Sequence, residues 1–297
     1  MIGILLLILG IFMSGIYGFG LGPANRRCRT LAELELFNAG FTFVAMAGAM
    51  AVAISEGSMG MPPSALLVSV VWGTIFSLCV FLNLAALEHG PLSLTWLIVN
   101  FSLVFPLIYS FCFLGEPVTP PRVIGIGLLV ICMLLFNNPK VTGEKKMSVK
   151  WLVLTLLAMF CNGALSIIQK IFAMATDNVY ASSFLAYSYL VATIVSLILA
   201  AVMNRRETPE MRIAPRKYFT PVMLGLIVLV GGANFGMNYV VALLATMMDG
   251  SIVYPVIQGG GPVVSIIASR IFLGEKIPPR KAAAILLGIA SIVLMNL

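Results

Sequence analysis

The sequence predicts an all-α membrane protein in which about ten transmembrane helices form two inverted five-helix repeats. Three observations lead to this prediction: an apolar composition, ten apolar stretches joined by short connections, and a short signature that occurs twice. Hydrophobic residues make up 60% of the 297 residues and charged residues 10%, with a mean hydropathy of +1.06. A soluble domain carries roughly a quarter charged residues. Most of this chain therefore needs the bilayer as its solvent.

The apolar stretches have the length of membrane-spanning helices, since about twenty residues of helix match a hydrocarbon core about 30 Å thick. The first half of the chain contains five of them, at residues 1–21, 36–54, 64–87, 91–114 and 123–137. The second half contains five more, at residues 151–169, 179–203, 218–247, 251–269 and 282–297. No basic segment precedes the first stretch and no cleavage site follows it, so we expect it to remain as the first helix.

Lysine and arginine residues predict the orientation of the chain in the membrane. Sixteen of the eighteen lie in or beside the odd-numbered connections, whereas the even-numbered connections hold Arg122 and Lys170. Positive charge marks cytoplasmic connections. We therefore predict a multi-pass protein of the inner (plasma) membrane with both termini extracytoplasmic, although one helix more or fewer would reverse this orientation. The net charge of +7 predicts contact with lipid head groups and no binding of nucleic acid.

A repeated signature indicates how the two halves are related. The sequence Phe-Leu-Gly-Glu occupies residues 113–116 and again 272–275, and each copy is followed by Pro-Pro-Arg and an apolar helix. Because five helices, an odd number, separate the copies, the two halves must cross the membrane in opposite directions. Inverted repeats of this kind are typical of secondary transporters. We predict a first repeat at 1–138, a cytoplasmic linker at 139–150 and a second repeat at 151–297.

These features also resemble a known family. Gly-Glu-Pro at 115–117 and Gly-Glu-Lys at 274–276 follow the fourth and ninth spans, and the fifth and tenth spans contain Gly125, Gly127 and Gly288. The chain is similar, over essentially its whole length, to the EamA-type branch of the drug/metabolite transporter superfamily. The resemblance implies a carrier that moves amino acids, nucleosides, sugars, other metabolites or drugs through a cavity between its halves. Many ten-span relatives are thought to keep both termini in the cytoplasm, and the charge distribution here predicts the opposite.

The ninth span contains the first candidate binding segment. Residues 254–262 read Tyr-Pro-Val-Ile-Gln-Gly-Gly-Gly-Pro, so two prolines remove backbone donors and three glycines weaken the helix. An unwound or kinked segment here would present Tyr254 and Gln258 to a solute. Alternatively, the glycines permit close contact between helices. The spacing of 159 residues between the signature copies pairs this segment with Asn100 and Trp96 in the fourth span.

Two other spans carry polar residues on one face. Asn234 and Asn238 are four residues apart in the eighth span, and Asn162 and Gln169 share a face of the sixth. Each stripe either lines a wet cavity between the halves or forms a hydrogen-bonded seam between helices, and the sequence leaves both readings open. Tyr17, which lies among the glycines of the first span, is a further candidate for contact with solute.

The charged residues indicate what kind of solute is expected. Lys170 closes the predicted sixth span, where it either snorkels to the interface or attracts a carboxylate or phosphate in the cavity. The acidic residues, including Glu35 and Glu116, lie near predicted span ends, and we expect Glu116 to brace a connection. The small multidrug resistance branch relies on a glutamate in its first helix to exchange protons for cations, and the first span here has none. These features favour a neutral or zwitterionic solute, with facilitated diffusion or exchange at least as favoured as proton coupling.

The sequence thus predicts a secondary transporter for a small neutral or zwitterionic metabolite, and neither an enzyme nor a protein with a cofactor or metal. Paired carboxylates, a histidine cluster and a Walker A loop are all missing from it. The alternatives are multidrug efflux of amphipathic compounds and a non-transporting receptor or scaffold, whose interior would be fully packed. A homodimer is left open.

Overall fold

The computed structural model describes residues 2–90, 95, 98–136, 148–213, 218–273 and 279–295. Within these ranges the regular structure is entirely helical, which confirms the predicted class. Ten helices follow one another along the described chain: α1 (Ile2–Arg27), α2 (Leu31–Glu56), α3 (Pro63–His89), α4 (Ile98–Phe113), α5 (Pro120–Phe136), α6 (Val149–Ala175), α7 (Ala181–Arg206), α8 (Pro221–Met247), α9 (Gly250–Leu273) and α10 (Pro279–Met295). Helix α4 contains a 3-10 turn at Phe101–Leu103.

Seven of the described helices are long and apolar enough to cross a membrane, namely α1, α2, α3, α6, α7, α8 and α9. A helix of 26 residues such as α1 is about 39 Å long, which exceeds a hydrocarbon core of about 30 Å. Helices α4, α5 and α10 are shorter and equally apolar in character. Of the predicted linker 139–150, residues 139–147 lie outside the described ranges.

Polar residues at the helix starts explain where several helices begin. Thr30, Ser148 and Thr220 each precede a helix, and their hydroxyl groups accept hydrogen bonds from the backbone N–H groups of Glu33, Trp151 and Met223. Such N-caps satisfy donors that have no partner within the helix, and each contributes about 1 kcal/mol.

Two of the predicted span boundaries that differ from the observed helices do so for the same reason. We expected the second span to begin at residue 36 and the sixth to end at residue 169, because charged residues lie just beyond. Instead α2 begins at Leu31, directly after its Thr30 cap, and α6 continues to Ala175. Glu35 and Lys170 therefore lie inside helices, and both are buried.

The packing of the helices reflects the inverted repeat. Helix α2 packs against α7, and α5 packs against α10. Helix α1 packs against α8 and α9, and α6 packs in the same way against α3 and α4. Exchanging each helix with the one five places along the chain leaves the contacts α2–α7 and α5–α10 unchanged and converts those of α1 into those of α6.

Two glycines at equivalent places allow α3 to approach the backbone of α7 and α8 to approach the backbone of α2. A Cβ atom at Gly73 of α3 would lie 2.2 Å from the carbonyl oxygen of Ser188 on α7. A Cβ atom at Gly231 of α8 would lie 2.5 Å from the carbonyl oxygen of Phe41 on α2. The pair α3–α7 becomes α8–α2 when the halves are exchanged. Both halves therefore meet through the same backbone contact, which requires a residue without a side chain.

The ninth span is not unwound, because α9 is a continuous helix from Gly250 to Leu273 with Pro255 and Pro262 inside it. The three glycines instead allow close packing: Cβ atoms at Gly259, Gly260 and Gly261 would lie 2.1 to 2.8 Å from side chains on α5 and α1. Close helix contact through the glycines is what the alternative reading predicts, and a role of Tyr254 and Gln258 in solute binding stays a prediction. Because proline has no backbone N–H, Pro262 leaves the backbone carbonyl of Gln258 without its usual partner within the helix.

Candidate functional site

Four buried side chains from three helices form what we call the central polar cluster, consisting of Gln169, Tyr189, Asn234 and Asn238. The Tyr189 hydroxyl donates to the Asn234 side-chain oxygen at 2.5 Å, and the Asn238 amide donates to the Tyr189 hydroxyl at 3.0 Å. The Gln169 side-chain amide donates to the backbone carbonyl oxygen of Asn238 at 2.7 Å. Helix α6 supplies the glutamine, α7 the tyrosine and α8 both asparagines, so the cluster joins three helices in the interior of the bundle.

Aromatic rings surround one side of this cluster. The indole of Trp72 stacks on Phe76 with ring centroids 5.3 Å apart, and Tyr189 meets both rings edge to face at about 6 Å. The Trp72 indole N–H donates to the Leu165 carbonyl oxygen at 3.1 Å. Phe76 also packs against Phe41. We call the rings of Trp72, Phe76 and Phe41 the aromatic wall. An apolar surface beside hydrogen-bonding groups is the general composition of a small-molecule site.

The remaining polar residues of α6 contact α4 and α9. The Asn162 side-chain amide donates to the Ser102 hydroxyl at 2.7 Å, and the Tyr254 hydroxyl donates to the Ser166 carbonyl oxygen at 2.9 Å. Together with Gln169, these contacts make the polar face of α6 a hydrogen-bonded seam in this conformation. The sequence left a seam and a cavity as alternatives for this face.

A cavity of about 390 Å³ lies where the even-numbered connections meet, and we call it the end cavity. Residues from the ends of α4, α6 and α8 line it: Leu114, Glu116, Lys170, Met174, Asp177, Ala245, Thr246, Met247, Met248 and Asp249. Lys170 directly follows Gln169 in sequence, so the end cavity and the central polar cluster share one turn of α6. Charges of both signs line this cavity.

Lys170 is 5% exposed and occupies the wall of the end cavity. Its ammonium group donates to the carbonyl oxygens of Ala245 at 2.7 Å and Met248 at 3.2 Å, and it lies 3.8 Å from a Glu116 carboxylate oxygen. Carbonyl groups at the end of α8 lack helical partners and carry partial negative charge, which explains the position of the lysine. The snorkelling interpretation is wrong, because α6 continues past Lys170 and holds its side chain inside the bundle.

Glu116 joins the first repeat to the start of α9. Its carboxylate accepts hydrogen bonds from the backbone N–H groups of Gly250 at 2.7 Å and Ser251 at 2.8 Å. Burial raises the pKa of this carboxyl, but the hydrogen bonds from Ser251 and Gly250 and the charge of Lys170 outweigh it, so the pKa lies below its ordinary value. Arg122 pairs beside it with Asp249 at 2.6 Å. The expectation that Glu116 braces a connection is thereby confirmed, whereas the second copy at Glu275 lies outside the described residues.

The other predicted site residues lie at the edges of these features. Asn100 on α4 and Gln258 on α9 are half-buried, and these two helices contact each other. The ring of Tyr17 on α1 meets Phe41 edge to face at 6.1 Å, which brings it to the aromatic wall. Trp96 lies outside the described residues.

A comparison with protein families agrees with this architecture. The model of the EamA-like transporter family matches residues 149–297, which is half of the chain. The chain belongs to the EamA-like transporter family. This EamA-like protein is therefore a multi-pass membrane transporter of small solutes.

A solved structure, titled "Crystal structure of protein", has a similar fold. It aligns with a TM-score of 0.76 at 15% sequence identity, covering 97% of this chain and 95% of that chain. The first repeat of the EamA-like transporter, which the family model does not reach, thus takes part in the same fold. No curated protein matches the chain in sequence.

Sequence reasoning missed the residues that hold the central polar cluster in place, above all Tyr189 and Trp72. A signal was present, because Tyr189, Thr193 and Ser196 are three or four residues apart and therefore share one face of the seventh span. Aromatic residues in a membrane helix can face lipid as readily as the interior, so the sequence did not distinguish them. Within the described residues, no three His, Cys, Asp or Glu side chains are grouped as a metal site would require.

Proposed function

We propose that this EamA-like transporter moves a small neutral or zwitterionic organic metabolite, of amino-acid, nucleoside or sugar type, by alternating access. The observation that carries the proposal is the end cavity, which contains both charge signs and whose Lys170 directly follows Gln169 of the central polar cluster. The ammonium of Lys170 would attract a solute carboxylate, and the carboxylates of Asp249 and Glu116 would attract a solute ammonium group. A cavity of about 390 Å³ suits a metabolite of that size.

The amides would then receive the uncharged polar groups of the solute. The side chains of Asn234 and Asn238 both bond to the Tyr189 hydroxyl in the described conformation, so a solute would replace existing hydrogen bonds rather than bury unpaired groups. Such an exchange is nearly neutral in free energy, whereas leaving a buried amide without a partner costs about 1–3 kcal/mol. The adjacent rings of Trp72 and Phe76 would contact the apolar part of the solute.

The opposite end of α6 supports an alternating mechanism, because it is tightly packed. The indole of Trp151 is buried, donates to the Thr95 hydroxyl at 2.7 Å and lies so close to Gly90 that a Cβ atom there would be 2.3 Å away. One end of the bundle thus has the end cavity, whereas at the other end the start of α6 packs tightly through Trp151. We infer that the repeats 1–138 and 151–297 rock about the central cluster, and that the end cavity faces the exterior of a plasma membrane.

Uptake into liposomes tests this proposal. Purified protein would be reconstituted and supplied in turn with radiolabelled neutral amino acids, nucleosides and sugars. We expect uptake of at least one of them, and at least a tenfold rise in KM for the variant Asn238→Ala, since tenfold corresponds to about 1.4 kcal/mol. The control is Thr74→Val, because the Thr74 hydroxyl bonds to its own helix at Val70 and lies outside the site. Equal KM values for both variants, or no uptake of any labelled solute, would contradict the proposal.

The aromatic wall favours multidrug efflux as a second candidate. Stacked rings beside a phenol suit planar amphipathic compounds, and contacts between aromatic pairs contribute about 0.5–1.5 kcal/mol beyond burial. Transport of ethidium by the same liposomes, impaired by Trp72→Leu and not by Asn238→Ala, would select this alternative. The end cavity argues against a non-transporting receptor or scaffold with a sealed interior.

A further inference from the structure

Glu35 is a carboxyl group that the proposed solute site does not use, and it is fully buried. It lies on α2, which packs against α3, α7 and α8 and meets α1 through the rings of Phe41 and Tyr17. One of its oxygens, Oε2, is 3.4 Å from the side-chain nitrogen of Asn38, one turn further along the helix. The other oxygen, Oε1, has no hydrogen-bond partner in the described structure, and neither has the side-chain oxygen of Asn38. Two buried acceptors on one helix face thus lack a donor.

No cation in the described ranges lies within ion-pair distance of Glu35. Arg27 on α1 donates to the Pro23 carbonyl, and Arg205 and Arg206 at the end of α7 are exposed. Glu33 accepts the backbone N–H of Arg29 instead. The charged and titratable groups at this end of α2 and of the elements packed against it are Arg26, Arg27, Cys28, Arg29, Glu33, Cys79, Glu88, His89, Arg205, Arg206 and Tyr218.

An ionised carboxylate with one long hydrogen bond and no counter-charge is strongly unfavourable in a buried position. A neutral carboxyl removes the charge and supplies the missing donor. The Asn38 side-chain oxygen, which also lacks a donor, is the acceptor we propose for its O–H group. We propose that Glu35 is a proton-binding site of this transporter and that it holds a proton in the described conformation.

The surroundings of Glu35 come from both halves of the molecule. The Asn38 side-chain nitrogen donates to the Ser196 hydroxyl at 2.8 Å. Ser196 and Ser77 share a hydrogen bond at 3.0 Å, and Ser77 donates to the Ala192 carbonyl at 2.8 Å. Helices α2 and α3 belong to the first repeat, whereas α7 belongs to the second. Any rocking of the repeats must therefore pull this network apart.

Separation of the halves would admit water to Glu35 from the end of the bundle where α2 begins. The carboxyl then transfers its proton to water, giving a carboxylate and a hydronium ion, and closure of the halves takes a proton back. Proton exchange on that side is thereby tied to the conformational change. This link between the proton and the solute rests on the proposed transport function, whereas proton binding by Glu35 does not.

Infrared spectroscopy tests proton binding without any solute. Protein in liposomes at neutral pH should show the carbonyl band of a protonated, buried carboxyl group in the wild type. We expect Glu35→Gln to remove this band and Glu33→Gln to retain it. The control is matched, because Glu33 lies on the same helix two residues away and glutamine also completes a capping box with Thr30. A band that is missing from the wild type, or unchanged in Glu35→Gln, would overturn the proposal.

A pH gradient tests the link to transport. With a labelled amino acid, nucleoside or sugar that the wild type carries, a gradient across the liposome membrane should drive accumulation above the equilibrium level. Glu35→Gln should abolish accumulation and retain exchange of labelled for unlabelled solute, whereas Glu33→Gln should retain both. Accumulation that survives in Glu35→Gln would overturn the link. If no labelled solute enters at all, the proposed function fails, and the infrared result still decides whether Glu35 binds a proton.

Discussion

The contact between α8 and α2 gives the sharpest prediction about stability. Alanine at position 231 would place its Cβ 2.5 Å from the Phe41 carbonyl oxygen and 2.7 Å from the Val44 Cβ, well below the usual contact of about 3.5–4.0 Å. The two helices must therefore separate by about 1 Å, and overpacking of this kind destabilises by about 1–3 kcal/mol. At Gly232 nothing lies within 4 Å of the added atom. Gly232→Ala should instead stabilise the helix by about 0.5–1 kcal/mol.

Thermal unfolding of the two variants in detergent tests this reasoning. With about 2–4 °C of Tm for each kcal/mol in a chain of this size, Gly231→Ala should lower Tm and its neighbour Gly232→Ala should hold or raise it. Gly73→Ala, at the equivalent contact between α3 and α7, should resemble Gly231→Ala. Equal Tm values for the 231 and 232 variants would refute the close approach of α8 and α2. An unchanged Tm for Gly73→Ala would likewise refute the equivalent approach of α3 and α7.

Three further predictions concern the end cavity and α9. Lys170→Met should reduce uptake of zwitterionic solutes more than uptake of uncharged ones, as a comparison of labelled amino acids and sugars would show, and an equal loss for both would contradict charge recognition. Hydrogen bonds from Gly250 and Ser251 help to hold the pKa of Glu116 below its ordinary value of about 4.3. The ionised Glu116 carboxylate therefore stabilises the fold above about pH 4.3, and this stabilisation is lost as the pH falls through the lowered pKa. Tm should thus fall in acid less steeply for Glu116→Gln than for the wild type, and parallel acid profiles would contradict this. Gln258→Ala should raise the KM of uptake without lowering Tm, and a fall in Tm with unchanged KM would make Gln258 a packing residue.

The architecture could be predicted from the sequence because bilayer chemistry constrains it strongly. Stretches of apolar residues must be helices in lipid, and the repeated Phe-Leu-Gly-Glu signature fixed the relation of the halves. Helix ends were less predictable, because a charged residue marks a boundary only if it stays in water. Glu35 and Lys170 do not, since neighbouring helices cover both of them. That tertiary burial was not visible in the sequence.

The candidate site could be predicted in part for a similar reason. Spacing shows that Asn234 and Asn238 share a face, but it does not show that Tyr189 and Gln169 lie opposite them. In the ninth span, prolines and glycines weaken an isolated helix, whereas here the packing of Gly259 and its neighbours against α5 and α1 maintains it. Tertiary contacts outweighed local propensity at that position.

The central claim is that one solute site is exposed alternately to the two sides of the membrane, and an exchange measurement tests it most directly. Liposomes preloaded with a labelled solute that the transporter carries would be diluted into buffer with or without the same unlabelled solute. A carrier of this kind should release the label faster when unlabelled solute is present outside, because the loaded site returns faster than the empty one. Release at the same rate in both buffers would indicate a channel, and no release in either would indicate that the protein does not transport this solute.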